Sequence, residues 1–183
     1  MQKSQNLKKF RTIFLDFDGV LTNNKVIVDE NGKESVSCSR SDGLAIDILK
    51  SNRIKLFIVS TEKNKVVVKR AAKLGIDCYN DIKNKEKALI DIAKQNNLNL
   101  SDCIFIGNDL NDYKAMEICG IKICPNDSHQ VIKSIADYIT KKNGGDGGLG
   151  EEGENFLEKD MVANYSKKDS LKREINFKIF KRG

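Results

Sequence analysis

The chain has 183 residues, of which 39% are hydrophobic and 32% charged, and a formal net charge of +6. That length suits one domain with a real core, and no apolar run approaches the roughly 20 residues of a membrane span. Basic residues are spread along the chain except near its end, which argues for a solvated surface rather than a nucleic-acid sheath. Neither nucleic acid nor membrane is therefore an expected partner.

The first eleven residues, MQKSQNLKKFR, carry charge but no apolar segment, so they do not read as a secretory signal. The cysteines at 38, 78, 103, 119 and 124 form no C-x-x-C pair. Reduced thiols in a cytoplasmic protein are the simplest account.

Ile13, Phe14 and Leu15 form a short apolar run, as in a buried parallel strand. Asp16 and Asp18 follow at once, and Gly19 allows a sharp turn. Taken alone, D-x-D-G is also compatible with an acidic surface turn. It is not an EF-hand loop, which needs a third oxygen residue before the Gly and a Glu beyond it. Next, Val26 and Val28 alternate up to Asn31-Gly32, and Val36 and Cys38 follow. Asn-Gly in that setting predicts a hairpin whose two turn residues both have positive φ. Such a hairpin serves either as a flap over the acidic loop or as a plain edge ribbon.

Leu44, Ala45, Ile48 and Leu49 recur at helical spacing, with Asp42 placed to cap the helix. IKLFIVST reads as a second buried strand ending in Ser60 and Thr61. A helix is expected over 63–74, with Gly75 as its C-cap. Ile76 to Tyr79 suggests a third strand, and Lys85 and Lys87 open a helix through Ala93. CIFIG is a fourth buried strand that runs straight into Asn108-Asp109-Leu110-Asn111-Asp112. A helix from Tyr113 to Cys119, a strand from Ile121 to Cys124 and a helix from Gln130 to Ile135 follow. This alternation predicts an α/β, Rossmann-like three-layer fold with a central parallel sheet and right-handed crossovers.

In 143–153, six of eleven residues are glycine, which reads as a flexible link. The expected organisation is a domain over 1–148, then a link and basic tail over 149–183. Leu157, Met161 and Tyr165 suit one helical face, and INFKIF suits a strand. A solvated tail and a tail docked on a neighbouring subunit both remain open.

In open parallel sheets, ligands sit beyond the carboxyl ends of the strands. There, Asp16 can act as a carboxylate nucleophile. Asp18 can give a proton to a leaving oxygen and later take one from water. Ser60 and Lys85 can hold phosphate oxygens, aided by a helix N-terminus. Asn108, Asp109 and Asp112 offer oxygens to a hard cation such as Mg2+. Together these are the parts that phosphoryl transfer needs.

The combination of DFDGVLT, VST, Lys85 and GNDLND resembles the haloacid dehalogenase superfamily of phosphatases. S-R-S-D-G, KLGI, and ADYIT followed by NGG make it similar to a small capless branch. That branch contains the 3-deoxy-manno-octulosonate 8-phosphate phosphatases and the phosphatase-like domains of acylneuraminate cytidylyltransferases. The resemblance spans roughly residues 11–148. It implies Mg2+ dependence, a phosphorylated sugar acid as substrate, and a homotetramer closed by the hairpins. It further implies that Asp16 is the nucleophile, Asp18 the acid/base, and Ser60 and Lys85 the phosphate holders. The metal would rest on Asp16, the Asp18 carbonyl and Asn108, with Asp109 and Asp112 as further donors. Arg40, Asp42, Gly43 and Arg70 would lie near the sugar acid.

The chain departs from that pattern in places. Asn108 stands where the branch carries Asp, removing one negative charge from the metal set. Ser41, Asp47 and Glu62 stand where it carries Arg, which argues against the octulosonate phosphate itself. Asp146 interrupts the usual G-G-R-G. A catalytically silent oligomerisation module is therefore the alternative expectation.

Overall fold

The computed structural model describes residues 10–150. The expectations for the tail beyond Gly150, and for residues 1–9, lie outside the described residues. Six strands form one sheet in the order β5-β4-β1-β6-β7-β8, every neighbouring pair parallel. They are β1 (Thr12–Leu15), β4 (Lys55–Val59), β5 (Asp77–Tyr79), β6 (Cys103–Ile106), β7 (Ile121–Cys124) and β8 (Tyr138–Ile139). The two-residue β8 had no periodicity to announce it. Separate from this sheet, β2 (Thr22–Val28) and β3 (Glu34–Cys38) form an antiparallel hairpin.

The central strand β1 shows how the layers arise. Successive side chains of a strand point to opposite faces, so Ile13 and Leu15 enter one core and Phe14 the other. The first core is completed by Ala45, Ile46 and Leu49 of α1 (Arg40–Ser51) and by Val67, Ala71 and Leu74 of α2 (Lys65–Leu74). The second is completed by α3 (Lys85–Asn96), α4 (Tyr113–Glu117) and α5 (Gln130–Ile135), through Leu89, Ile92, Ala115, Met116 and Ile132. Phe14 stacks on Phe57 with ring centroids 5.3 Å apart. Burying such a side chain contributes about 1.5–3 kcal/mol. Strands alternate with helices on both faces, so the three-layer α/β architecture holds.

Several local expectations are corrected. Asp42 does not cap α1: Ser39 does, accepting the Ser41 N–H, and Asp42 lies buried in the first turn. Leu44 faces solvent, while Ile46 takes its place in the core. α2 begins at Lys65 because Asn64 caps it, and Gly75 ends it with a left-handed φ of 63°. α4 stops at Glu117 rather than at Cys119.

In the hairpin turn only Gly32 of the Asn31-Gly32 pair has positive φ, at 75°. The Gly32 N–H donates to the Asp29 carbonyl at 3.0 Å, and the Asp29 side chain accepts from the Asn31 and Lys33 N–H groups. The turn is thus a longer one that ends in a left-handed glycine; the Asp29 carboxylate organises it as an Asx turn. The glycine-rich stretch is not a free link up to Gly150. Leu149 is in the first core, and the Gly145 N–H donates to the Val20 carbonyl at 3.0 Å.

Candidate active site

Leu15 pairs with Ile58 on one side and Ile106 on the other. The residues just past these three strands therefore converge: Asp16 after β1, Ser60 after β4 and Asn108 after β6. All three are buried. The Asp16 N–H carries the ladder one step further, donating to the Ile106 carbonyl at 2.9 Å.

Lys85 joins them from the start of α3. Asn84 caps that helix and turns it so that the first side chain points into the protein. Lys85 Nζ lies 2.7 Å from Asp16 Oδ1 and 2.6 Å from Asp112 Oδ1. The Phe17 N–H also donates to Asp16 Oδ1, at 2.7 Å. Both contacts of Asp16 thus use one oxygen, which leaves Oδ2 outside the clamp.

Asp112, a further candidate metal donor, has hydrogen-bond donors on both its oxygens. Oδ1 accepts from Lys85, and Oδ2 accepts from the Asn108 N–H at 2.9 Å and the Asp109 N–H at 3.2 Å. It fixes the loop and the ammonium. Gly107 allows this approach, since a Cβ there would come within 2.7 Å of the Asp112 side chain. Asp109, the other such candidate, is exposed, and its Oδ1 accepts the Leu110 N–H at 2.7 Å.

The electrostatics follow from burial. Two carboxylates share one ammonium in a buried site. Burial, reinforced by Asp112 and opposed by Lys85, pushes the Asp16 carboxyl up to about 8. Burial alone would lower Lys85, but Asp16 and Asp112 outweigh it and its pKa rises. Asp18 is raised by burial and then by the Glu62 carboxylate, while the Thr22 hydroxyl, 3.4 Å away, pulls the other way. A raised carboxyl keeps its proton to higher pH, as a general acid requires.

The residues present also fit a hard divalent cation. With Asp16 ionised, its carboxylate and that of Asp112 outnumber the one ammonium by a single negative charge. Asn108 Oδ1 is buried without a hydrogen-bond partner. Asp16 Oδ2, Asn108 Oδ1 and the Asp18 carbonyl are all oxygens, the ligand type such a cation takes. Gly19 makes room for the amide, since a Cβ at that position would lie 1.9 Å from Asn108 Nδ2.

A pocket of about 290 Å³ opens beside Asp18, beneath the hairpin. Phe17, Asn24, Glu34, Glu62 and Asn64 line it with Asp18. Asn64 Nδ2 donates to Glu34 Oε2 at 3.0 Å, tying the hairpin to the segment after β4. In the sequence Glu62 stands out only as a missing arginine and Thr22 only as the end of DFDGVLT, while Glu34 and Asn64 do not stand out at all. The T of DGVLT was the one available signal. Thr22 Oγ1 also accepts from the Gly19 and Asn24 N–H groups, at 3.1 and 3.3 Å.

Arg40, Gly43 and Arg70 sit elsewhere. With Asp47, Lys73 and Leu74 they line a separate pocket of about 270 Å³ between α1 and α2. Arg70 Nη2 donates to the Ser39 carbonyl at 2.7 Å. Asp42 is buried beneath, 1% exposed. Within the described chain these four residues are not gathered around Asp16.

Comparison with known proteins agrees with this geometry. Residues 46–150 match the haloacid dehalogenase-like hydrolase family. The 3-deoxy-D-manno-octulosonate 8-phosphate phosphatase of Escherichia coli (strain B / BL21-DE3) is 32% identical over 152 residues, covering 82% of this chain and 79% of that protein. The enzyme of that name from Haemophilus influenzae is 30% identical, covering 84% of this chain and 86% of that protein. Among solved structures, the Moraxella catarrhalis 3-deoxy-D-manno-octulosonate 8-phosphate phosphatase, complexed with magnesium ion, phosphate ion and KDO, superposes with a TM-score of 0.84. It is 31% identical, and the match covers 89% of this chain and 95% of that one. A cobalt-bound phosphatase from Haemophilus influenzae gives a TM-score of 0.79 at 29% identity, covering 84% and 90% of the two chains. The chain belongs to the haloacid dehalogenase-like hydrolases, and within them to the phosphatases.

Proposed function

We propose that this protein is a Mg2+-dependent phosphatase of a phosphorylated sugar acid, an octulosonate or nonulosonate phosphate. The observation that carries the reading is the buried Asp16–Lys85–Asp112 cluster beside Asp18 and the orphaned Asn108 oxygen. The Asp16 carboxylate attacks phosphorus, and the bond from phosphorus to the sugar oxygen breaks. Asp18 gives its proton to that oxygen, leaving an aspartyl phosphate on Asp16. Asp18, now a carboxylate, takes a proton from water as the water oxygen attacks phosphorus and the aspartyl bond breaks. Ser60 and Lys85 hold the phosphoryl oxygens throughout. Asp16, the Asp18 carbonyl and Asn108 would hold Mg2+, which supplies positive charge to the transferring phosphoryl group.

The relatives named for an octulosonate phosphatase favour that substrate. Glu62 and Asp47, in place of basic residues, argue against the octulosonate phosphate itself, and the G-N-D wording at Asn108 favours the nonulosonate. The strand residues Val26, Ile27 and Val28 are 52%, 68% and 57% exposed on the hairpin. That apolar ribbon supports a homotetramer in which Arg40, Asp42, Gly43 and Arg70 lie near a neighbour's substrate.

Asn108 favours a second reading, a weakly active or silent module for assembly, because an amide holds a cation less firmly than a carboxylate. The test is phosphate release from both classes of substrate, with Mg2+ and with EDTA. Release that needs Mg2+ supports the enzyme. No release from wild type, with a large gain in Asn108→Asp, supports the silent module.

A further inference from the structure

The glycine-rich segment after β8 touches the loop that carries Asp18 at its most confined point. The Gly145 N–H donates to the Val20 carbonyl at 3.0 Å. A Cβ on Gly144 would stand 2.0 Å from the Gly19 carbonyl oxygen, and one on Gly145 would stand 2.5 Å from the Asn23 nitrogen. Both obstacles are backbone, which has no rotamer to yield. On its other side the loop meets Asn108: a Cβ on Gly19 would be 1.9 Å from the amide nitrogen. Gly19, the residue after Asp18, is thus held between the 143–145 strap and the Asn108 side chain.

The strap and the Asn108 loop are also tied to each other. The Gly144 N–H donates to Asp127 Oδ1 at 2.9 Å, and the Asn126 N–H donates to the Lys142 carbonyl at 3.0 Å. Two residues on from Asp127, the His129 N–H donates to the Asn108 carbonyl at 2.9 Å. The contacts close a ring from the Asp18 loop to the strap, through the 125–129 turn, to Asn108 and back to Gly19. Filling the core does not require this ring, since Leu149 serves the core from further along.

We propose that Gly144 and Asp127 are positioning residues for proton transfer by Asp18: the strap fixes the distance of the Asp18 carboxyl from the leaving oxygen. The inference rests on the phosphatase reading above. A displacement on the order of 1 Å in such a group costs roughly 100-fold in rate. Relieving a 2.0 Å contact at Gly144 demands a shift of at least that size.

The test uses the full chain with Mg2+ and two substrates. 3-Deoxy-D-manno-octulosonate 8-phosphate has an alkyl leaving group that needs the proton. p-Nitrophenyl phosphate has a leaving group that departs without one. Gly144→Ala is expected to lower kcat on the sugar phosphate about 100-fold, and on the aryl phosphate only a few-fold. Asp127→Ala should lower the same ratio by roughly three- to ten-fold, the size of one lost hydrogen bond. Asp127→Asn, which keeps an acceptor oxygen, should restore it. Asp127→Ala carries the test if Gly144→Ala does not fold. Equal losses on both substrates, or no loss, at an unchanged Tm would overturn the strap's role and leave the phosphatase reading standing. Asp16→Asn is the control for that reading: if it keeps full activity, the reading fails and the inference falls with it.

Discussion

Two charged clusters in this molecule are built on opposite plans. At the strand ends, Asp16, Lys85 and Asp112 make close contacts of 2.6–2.7 Å, and both Asp112 oxygens have donors. Between α1 and α2, neither Asp42 oxygen has a donor at ordinary hydrogen-bond geometry, the Leu149 N–H falling short of it, and Arg70 Nε has no partner, although all three atoms are buried. The first cluster is complete within one chain. It is preorganised, with dipoles and charges fixed before any substrate arrives. The second is left unsatisfied, and buried polar atoms in that state cost free energy. Reactive chemistry is therefore expected to fail when the first cluster is touched, while the second can be altered with small loss or even gain in stability.

The largest effect should come from the first cluster's free oxygen. Asp16→Asn removes the nucleophile while keeping a partner for the Phe17 N–H. Activity should fall by roughly 10⁴-fold or more, read as phosphate release under saturating Mg2+. Stability should change far less. Retained activity in this variant would show that the cluster is structural, erasing the contrast.

Lys85→Met comes next. It leaves two buried carboxylates facing each other with no cation, and breaking such a group by removing one partner typically costs about 3–5 kcal/mol. The Asp16 carboxyl, already raised to about 8, would rise further and take up a proton. The loss in stability should therefore be greater at pH 9 than at pH 6, measured by urea denaturation. A loss under about 1 kcal/mol at both pH values would mean the ammonium is not what neutralises the pair.

Most of the first cluster was legible in the sequence because Asp16 follows an apolar strand and Lys85 opens a helix. Strand ends place side chains reliably: Asp16, Ser60 and Asn108 came together from the periodicity of β1, β4 and β6. What the letters could not show for Asp112 is that both its oxygens already accept hydrogen bonds, since composition shows a carboxylate but not its partners. The second cluster was harder. Asp42 at a plausible capping position gave no hint that Ser39 would cap instead and leave it buried. The strap was illegible for a related reason. Glycines that permit close backbone approach and glycines that permit flexibility look the same in a string of letters. What separates Gly144 from a link residue is the Gly19 carbonyl, 125 positions earlier in the chain.

The smallest expected effect belongs to the second cluster, and its sign is opposite. Burial pushes the Asp42 carboxyl up to about 6, with the Leu149 N–H, Arg70 and Lys142 only partly compensating. A carboxyl whose pKa is higher folded than unfolded favours the native state only while protonated. Its contribution is present below the unfolded value, near 3.9, and is lost as pH rises to the folded value near 6. Over that window the native state binds more protons than the unfolded one, so stability falls with rising pH by about 2–3 kcal/mol from this group. Asp42→Asn cannot ionise. It should match wild type near pH 4 and be more stable at pH 7 and above, with a flatter profile between, read from Tm across that range. If instead the variant is less stable than wild type at pH 7, Asp42 is held as an anion by partners that its buried surroundings do not reveal. The two clusters would then share one design, each with a charge that the fold depends on.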